Sequence, residues 1–154
     1  MTDLELRTEL LFELRAEVES RLDIGDTAFG RRRVYVVSGG TFTGPLLRGE
    51  ILGGAGDWLV RGADGTSELD VRATLSTDDG ELIYNHYRGI YHVPPEVKAR
   101  MDGGEDVPPS TYYFRTTPRF ETGSAKYGWL NRTVAVGVGR RTSTGIAYRV
   151  YRVL

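Results

Sequence analysis

Residues 69–92 read Leu69-Asp70-Val71-Arg72-Ala73-Thr74-Leu75-Ser76-Thr77-Asp78-Asp79-Gly80-Glu81-Leu82-Ile83-Tyr84-Asn85-His86-Tyr87-Arg88-Gly89-Ile90-Tyr91-His92. Leu69, Val71, Ala73 and Leu75 alternate with Asp70, Arg72 and Thr74. Successive side chains of a strand point to opposite faces, so this period of two predicts a strand with one buried face. The run from Leu82 to His92 is rich in aromatic and β-branched residues. Between the two runs stands Asp79-Gly80, a pair suited to a tight hairpin turn because both central residues need positive φ. The stretch is therefore two antiparallel strands.

The same grammar extends outward. Trp58-Leu59-Val60-Arg61 ends at Asp64-Gly65, and Val34-Tyr35-Val36-Val37 ends at Gly39-Gly40. Thr41 to Leu52 is interrupted by Gly44-Pro45. Near the N-terminus the even positions are Leu4, Leu6, Thr8, Leu10, Phe12, Leu14, Ala16 and Val18, with charged residues between them except at Leu11. That alternation predicts a strand although Leu, Glu and Ala intrinsically favour helix. Pro94-Pro95 before Glu96 to Met101, with Gly103-Gly104 after, predicts one short helix. Further strands are expected at Tyr112–Thr117, Tyr127–Gly139 and Ile146–Val153. Nine or ten strands, one helix and no βαβ alternation predict a single all-β domain over 1–154, an antiparallel barrel or sandwich. Glycine makes up 20 of the 154 residues, against a usual share of about 7%. The pairs Gly39-Gly40 and Gly53-Gly54 suit the corners of a strongly coiled, closed barrel.

Composition removes several function classes. Without cysteine there is no disulfide, thiolate metal site or cysteine nucleophile. Twenty basic against 21 acidic residues leave no electrostatic footprint for nucleic acid or an anionic membrane. The N-terminus has no signal-peptide pattern, and no apolar run approaches the roughly 20 residues of a membrane span. A cytoplasmic protein is expected. Dinucleotide and Walker motifs are absent, as is a Gly-x-Ser-x-Gly elbow. His86 and His92 lie six residues apart on one strand, about 20 Å, too far to share a metal. No metal and no cofactor is expected.

The densest segment runs from Tyr112 to Asn131. Tyr113 and Arg115 share a face, as do Tyr127, Trp129 and Asn131 if that stretch is a strand. Aromatic walls with a few convergent polar groups are what small-molecule pockets are made of; core aromatics with arginines reaching to solvent would read the same way. Asp70 and Arg72 are either the outer face of a solvated sheet or part of a barrel lumen, and alternation does not choose.

At this point the chain resembles the UPF0311 family, also called DUF3237. The matches are Gly39-Gly40-Thr41-Phe42-x-Gly44-Pro45, Gly53-Gly54-x-x-Asp57-Trp58, Asp64-Gly65 with Leu69-Asp70-x-Arg72, Thr77-x-Asp79-Gly80, Tyr113-Phe114-Arg115-Thr116, Phe120-Glu121-Thr122-Gly123 and Tyr127-x-Trp129-Leu130-Asn131-Arg132. The resemblance implies a closed antiparallel barrel similar to those of allene oxide cyclases and dirigent proteins. Asp57, Asp70, Arg72, Arg115, Glu121, Trp129 and Asn131 fall within its motifs, which favours a polar cluster lining the lumen.

On that basis the expectation is a cofactor-free enzyme. It would isomerise, cyclise or cleave a partly apolar, oxygenated small molecule by acid–base chemistry. Glu121, Asp57 and Asp70 are the candidate acids or bases, since a carboxylate in an apolar cavity has a raised pKa. Arg72 and Arg115 would hold a carboxylate or developing enolate oxygen. Tyr113 and Asn131 would fix the polar end of the substrate, with Tyr127 and Trp129 as walls. The alternative is a non-catalytic, lipocalin-like binding protein. An assembly role is a third expectation. If Val134, Val136 and Val138 fill the barrel, the small face of Thr133, Ala135, Gly137 and Gly139 is free to meet a second subunit in a homodimer or higher homo-oligomer.

Overall fold

The computed structural model describes residues 4–154. Nine strands form one antiparallel sheet: β1 (Thr8–Thr27), β2 (Gly30–Thr43), β3 (Arg48–Ile51), β4 (Ala55–Arg61), β5 (Ser67–Thr77), β6 (Leu82–His92), β7 (Tyr113–Glu121), β8 (Ala135–Arg141) and β9 (Gly145–Val153). Helix α1 (Pro95–Asp102) follows β6, and 3-10 turns cover Pro109–Thr111 and Gly128–Arg132. Pairing runs β1-β9-β8-β7-β6-β5, crosses through β4 to β2, and returns from β2 to β1. The sheet therefore closes on itself as a β-barrel. The ring is uneven: β7 and β8 share only the pairs Arg115–Val138 and Thr116–Gly137.

The short strands β3 and β4 occupy one slot between β2 and β5. β3 pairs with Gly40–Thr43 of β2, and β4 pairs with Arg31–Val37 of the same strand. Leu52-Gly53-Gly54 separates them, so the second glycine pair read from the sequence marks a break in the wall. Asp64-Gly65 and Asp79-Gly80 form the β4–β5 and β5–β6 turns, with both glycines at positive φ. The N-terminal alternation is a strand, as expected. One irregularity breaks its period: pairing with β9 shifts between Leu10 and Phe12, and both Leu11 and Phe12 are buried.

Two expectations fail in the last third. Residues 127–134 are not strand; Gly128–Arg132 is a 3-10 turn and β8 begins at Ala135. The faces of β8 are also reversed. Ala135, Gly137 and Gly139 point inward, and Val134, Val136 and Val138 are exposed. The reason is volume. A Cβ on Gly139 would lie 2.7 Å from the Phe114 ring and 2.8 Å from Tyr148. The small residues make room for aromatics, so the small face is unavailable to a second subunit.

One end of the barrel is packed solid. Phe12 packs against Phe42 in a tilted pair at 5.4 Å and meets Phe120 edge-on at 5.9 Å, with Leu75, Ile83 and Leu130 fully buried. Burying each such side chain contributes about 1.5–3 kcal/mol. Helix α1 lies at the opposite end, where Pro95, Lys98 and Met101 border an opening.

Candidate functional site

Above the aromatic plug the barrel is hollow. Its cavity is about 680 Å³, within the roughly 300–1,000 Å³ of small-molecule sites. The wall is apolar over most of its height, with Val37, Leu59, Leu69 and Val71 facing inward.

One polar row crosses this wall. Register places Tyr35 opposite Asp57, Asp57 opposite Val71, and Val71 opposite Tyr87. Asp57 is 9% exposed and the only charged residue among the described ones that is buried. Its Oδ1 accepts a hydrogen bond from the backbone N–H of Asp70 at 3.0 Å. The β4–β5 ladder is open at this level, with pairs at Asp57–Val71 and again only at Val60–Glu68. The carboxylate thus takes a donor that the ladder leaves free, and this fixes its orientation. Burial pushes the Asp57 carboxyl up to about 6; the Asp70 N–H pulls it down and the Asp70 charge adds to the rise.

Tyr87 meets Tyr148 edge to face at 5.5 Å. Burial holds both phenols well above the usual tyrosine range, and the Asp57 charge raises each further. Both therefore stay protonated as hydrogen-bond donors beside a carboxyl that ionises near neutrality. Asn85, 2% exposed, lines the lumen on the strand of Tyr87. Its Oδ1 has no hydrogen-bond partner, nor have the hydroxyls of Tyr91 and Tyr148. A buried polar atom left unpaired costs about 1–3 kcal/mol, which a ligand bearing hydrogen-bonding groups would recover.

The residues singled out in the sequence separate into three places. Asp57 alone lines the lumen. Asp70 and Arg72 face outward on β5; Asp70 meets His86 at 3.0 Å and Arg88 at 3.9 Å on the outer wall. Tyr113 and Arg115 also face outward, with the guanidinium 5.2 Å over the ring, in an open groove of about 530 Å³. Glu121 is exposed on the same outer face. Tyr127, Trp129 and Asn131 belong to the plugged end. The Tyr127 hydroxyl donates to Asp79 at 3.0 Å, the Trp129 ring lies under Arg152, and Asn131 brackets the backbone of Thr122. The lumen-lining cluster of arginines with Glu121 is thus corrected: strand parity turns those side chains to solvent. Sequence reading missed Tyr35, Asn85 and Tyr87. The signal was there, since Asn85 and Tyr87 alternate in step with buried Ile83.

Residues 6–153 match the family described as protein of unknown function DUF3237. The chain belongs to the DUF3237 (UPF0311) family. A UPF0311 protein of Clostridium acetobutylicum is 34% identical, covering 97% of this DUF3237 chain and 95% of its own. The crystal structure of a β-barrel-like protein from Acinetobacter baumannii superposes with a TM-score of 0.86 at 38% identity, covering 97% of each chain. An enzyme from Penicillium herquei has a TM-score of 0.73 at 21% identity, covering 97% of this chain and 95% of that one, and shares the fold. Among the described residues of the DUF3237 chain, no helix is long and apolar enough to cross a membrane. No group of three or more His, Asp or Glu is placed to hold a metal among them.

Proposed function

We propose that this DUF3237 chain is a small-molecule enzyme whose barrel lumen runs acid–base chemistry, of isomerase, cyclase or lyase type, on a partly apolar oxygenated compound. The observation that carries the reading is Asp57, a buried carboxyl with a pKa of about 6 facing the cavity among the apolar side chains of Val37, Leu59, Leu69 and Val71. At pH 7 most of it is ionised, so it acts as the base and draws a proton from carbon or from a hydroxyl. The proton passes to Asp57 Oδ2, the oxygen not held by the Asp70 N–H. Negative charge then builds on the substrate oxygen, where the neutral phenol of Tyr87, backed edge-on by Tyr148, donates. Asn85 Oδ1 accepts from a substrate hydroxyl. Return of the proton to a different atom completes an isomerisation or a ring closure. The enzyme from Penicillium herquei is in keeping with catalysis on this fold.

The test is hydrogen exchange. The purified protein is incubated in deuterium oxide with a panel of enolisable carbonyl compounds, and deuterium uptake is followed by NMR and mass spectrometry. Wild type should accelerate exchange or isomerisation of at least one compound, and Asp57→Asn should lose about a hundredfold or more of that rate. A wild type that binds members of the panel yet leaves every one exchanging at the buffer rate is a carrier of the lipocalin kind.

A further inference from the structure

Charge is unevenly placed around the lumen, although the whole chain carries a net charge of −1. The mouth is lined by Arg21, Arg33, Arg61, Lys98 and Arg141, against Asp64 and Asp102. Both acids are occupied. Asp102 pairs with Lys98 at 2.6 Å, and Asp64 accepts from the backbone N–H and the hydroxyl of Thr66 at 2.9 and 3.0 Å. Among the described residues, Arg21, Arg61 and Arg141 have no carboxylate within salt-bridge distance. Arg33 reaches one only at 3.8 Å, its side chain is 18% exposed, and its Nε is buried without a partner. A guanidinium offers five donors in a fixed fork, and most of those at this rim are unused.

The spacing adds a ruler. Asp57, Leu59 and Arg61 point inward from one strand, so Arg61 stands about 13 Å above the carboxyl row. Arg33 pairs with Leu59 across β2 and β4, about 7 Å above that row. The wall between is Leu59 and Leu69, both 7% exposed or less. The lumen is thus polar at Asp57, apolar on the Leu59–Leu69 wall in the middle with Arg33 facing it from β2 at that level, and cationic at the rim. Low-dielectric walls concentrate the field of such a rim on whatever enters.

We infer that the ligand is an amphipathic organic acid. Its carboxylate, or an equivalent anion, sits among Arg33, Arg61 and Arg141, its apolar body lies against Leu59 and Leu69, and its oxygenated end reaches Asp57. The inference rests on the lumen being the ligand site proposed above, and it does not require Asp57 to perform chemistry.

A matched pair of fluorescent probes tests it: anilinonaphthalene sulfonate and the neutral N-phenylnaphthylamine. Wild type should bind the sulfonate more tightly than the neutral dye, and added salt should narrow the gap. Arg61→Met and Arg141→Met should each weaken the sulfonate about threefold to fivefold. The double variant should remove most of the preference, with the neutral dye unaffected. Arg61→Lys should restore part of it, because the charge returns without the fork. Absence of sulfonate preference in wild type, or parallel loss of both dyes in the variants, overturns the inference. A wild type with the dye preference but no deuterium exchange removes the enzyme reading and keeps this one; exchange without preference does the opposite.

Discussion

Asp57 is held in a place that disfavours its charge. Its carboxyl ionises at about 6 in the folded chain against 3.8 for an ordinary aspartate. The folded state therefore binds the proton more tightly than the unfolded state does. Stability falls as pH rises from about 4 to about 6, and above that the fold carries the full penalty, at most about 3 kcal/mol. Asp57→Asn keeps an acceptor for the Asp70 N–H and removes the charge. Its melting temperature should exceed that of wild type at pH 8, with the advantage gone below pH 4, while catalysis is lost. Asp57→Ala leaves the Asp70 N–H unpaired and should gain less than Asp57→Asn at pH 8. If Asp57 is the base, kcat/KM should rise with pH through about 6 and then level; a rate that falls through that pH would make it the acid. Asp57 stood among the sequence candidates because it falls in the Gly53-Gly54-x-x-Asp57-Trp58 motif of the family resemblance; the structure adds that it shares parity with buried Ala55 and Leu59. Asp70 and Arg72 alternate with Leu69 and Val71, which separated them from the apolar side but left open whether that side was the lumen; the structure turns it inward.

At the level of elements, alternation identifies two faces and leaves open which one is inside. In β5 the apolar face is inside. In β8 it is outside, because Phe114, Thr116 and Tyr148 fill the space that side chains on Gly137 and Gly139 would need. That is a property of neighbouring strands, and no window on β8 contains it. Gly139→Val should therefore destabilise by about 1–3 kcal/mol in urea unfolding, whereas Val138→Thr, on the exposed face, should stay within about 0.5 kcal/mol. The segment 127–132 escaped for a similar reason. Its 3-10 turn is tied by Tyr127 to Asp79 and by Asn131 to Thr122, contacts 48 and 9 residues away in sequence. Where structure depends on adjacent residues alone, reading succeeded: both Asp-Gly turns and the proline-led helix lie where the sequence puts them.

For the molecule as a whole, β1 is the strand on which closure depends. It pairs with β9 through Thr8–Glu17 and with β2 through Glu13–Thr27. Removal of residues 145–154 would leave β1 and β8 with bare edges, which invite pairing between chains. That truncation should lose cooperative unfolding and aggregate, as seen by circular dichroism and light scattering. The barrel so closed is a vessel with a floor. Phe12, Phe42 and Phe120 shut one end, and the arginine-lined rim is at the other. Whatever enters between the arginines must leave between them. Arrival and departure use one doorway, so no newcomer can push an occupant out from behind. Filling and emptying then alternate strictly, and under the proposed enzymatic function a slow-leaving product would set the pace of the whole cycle.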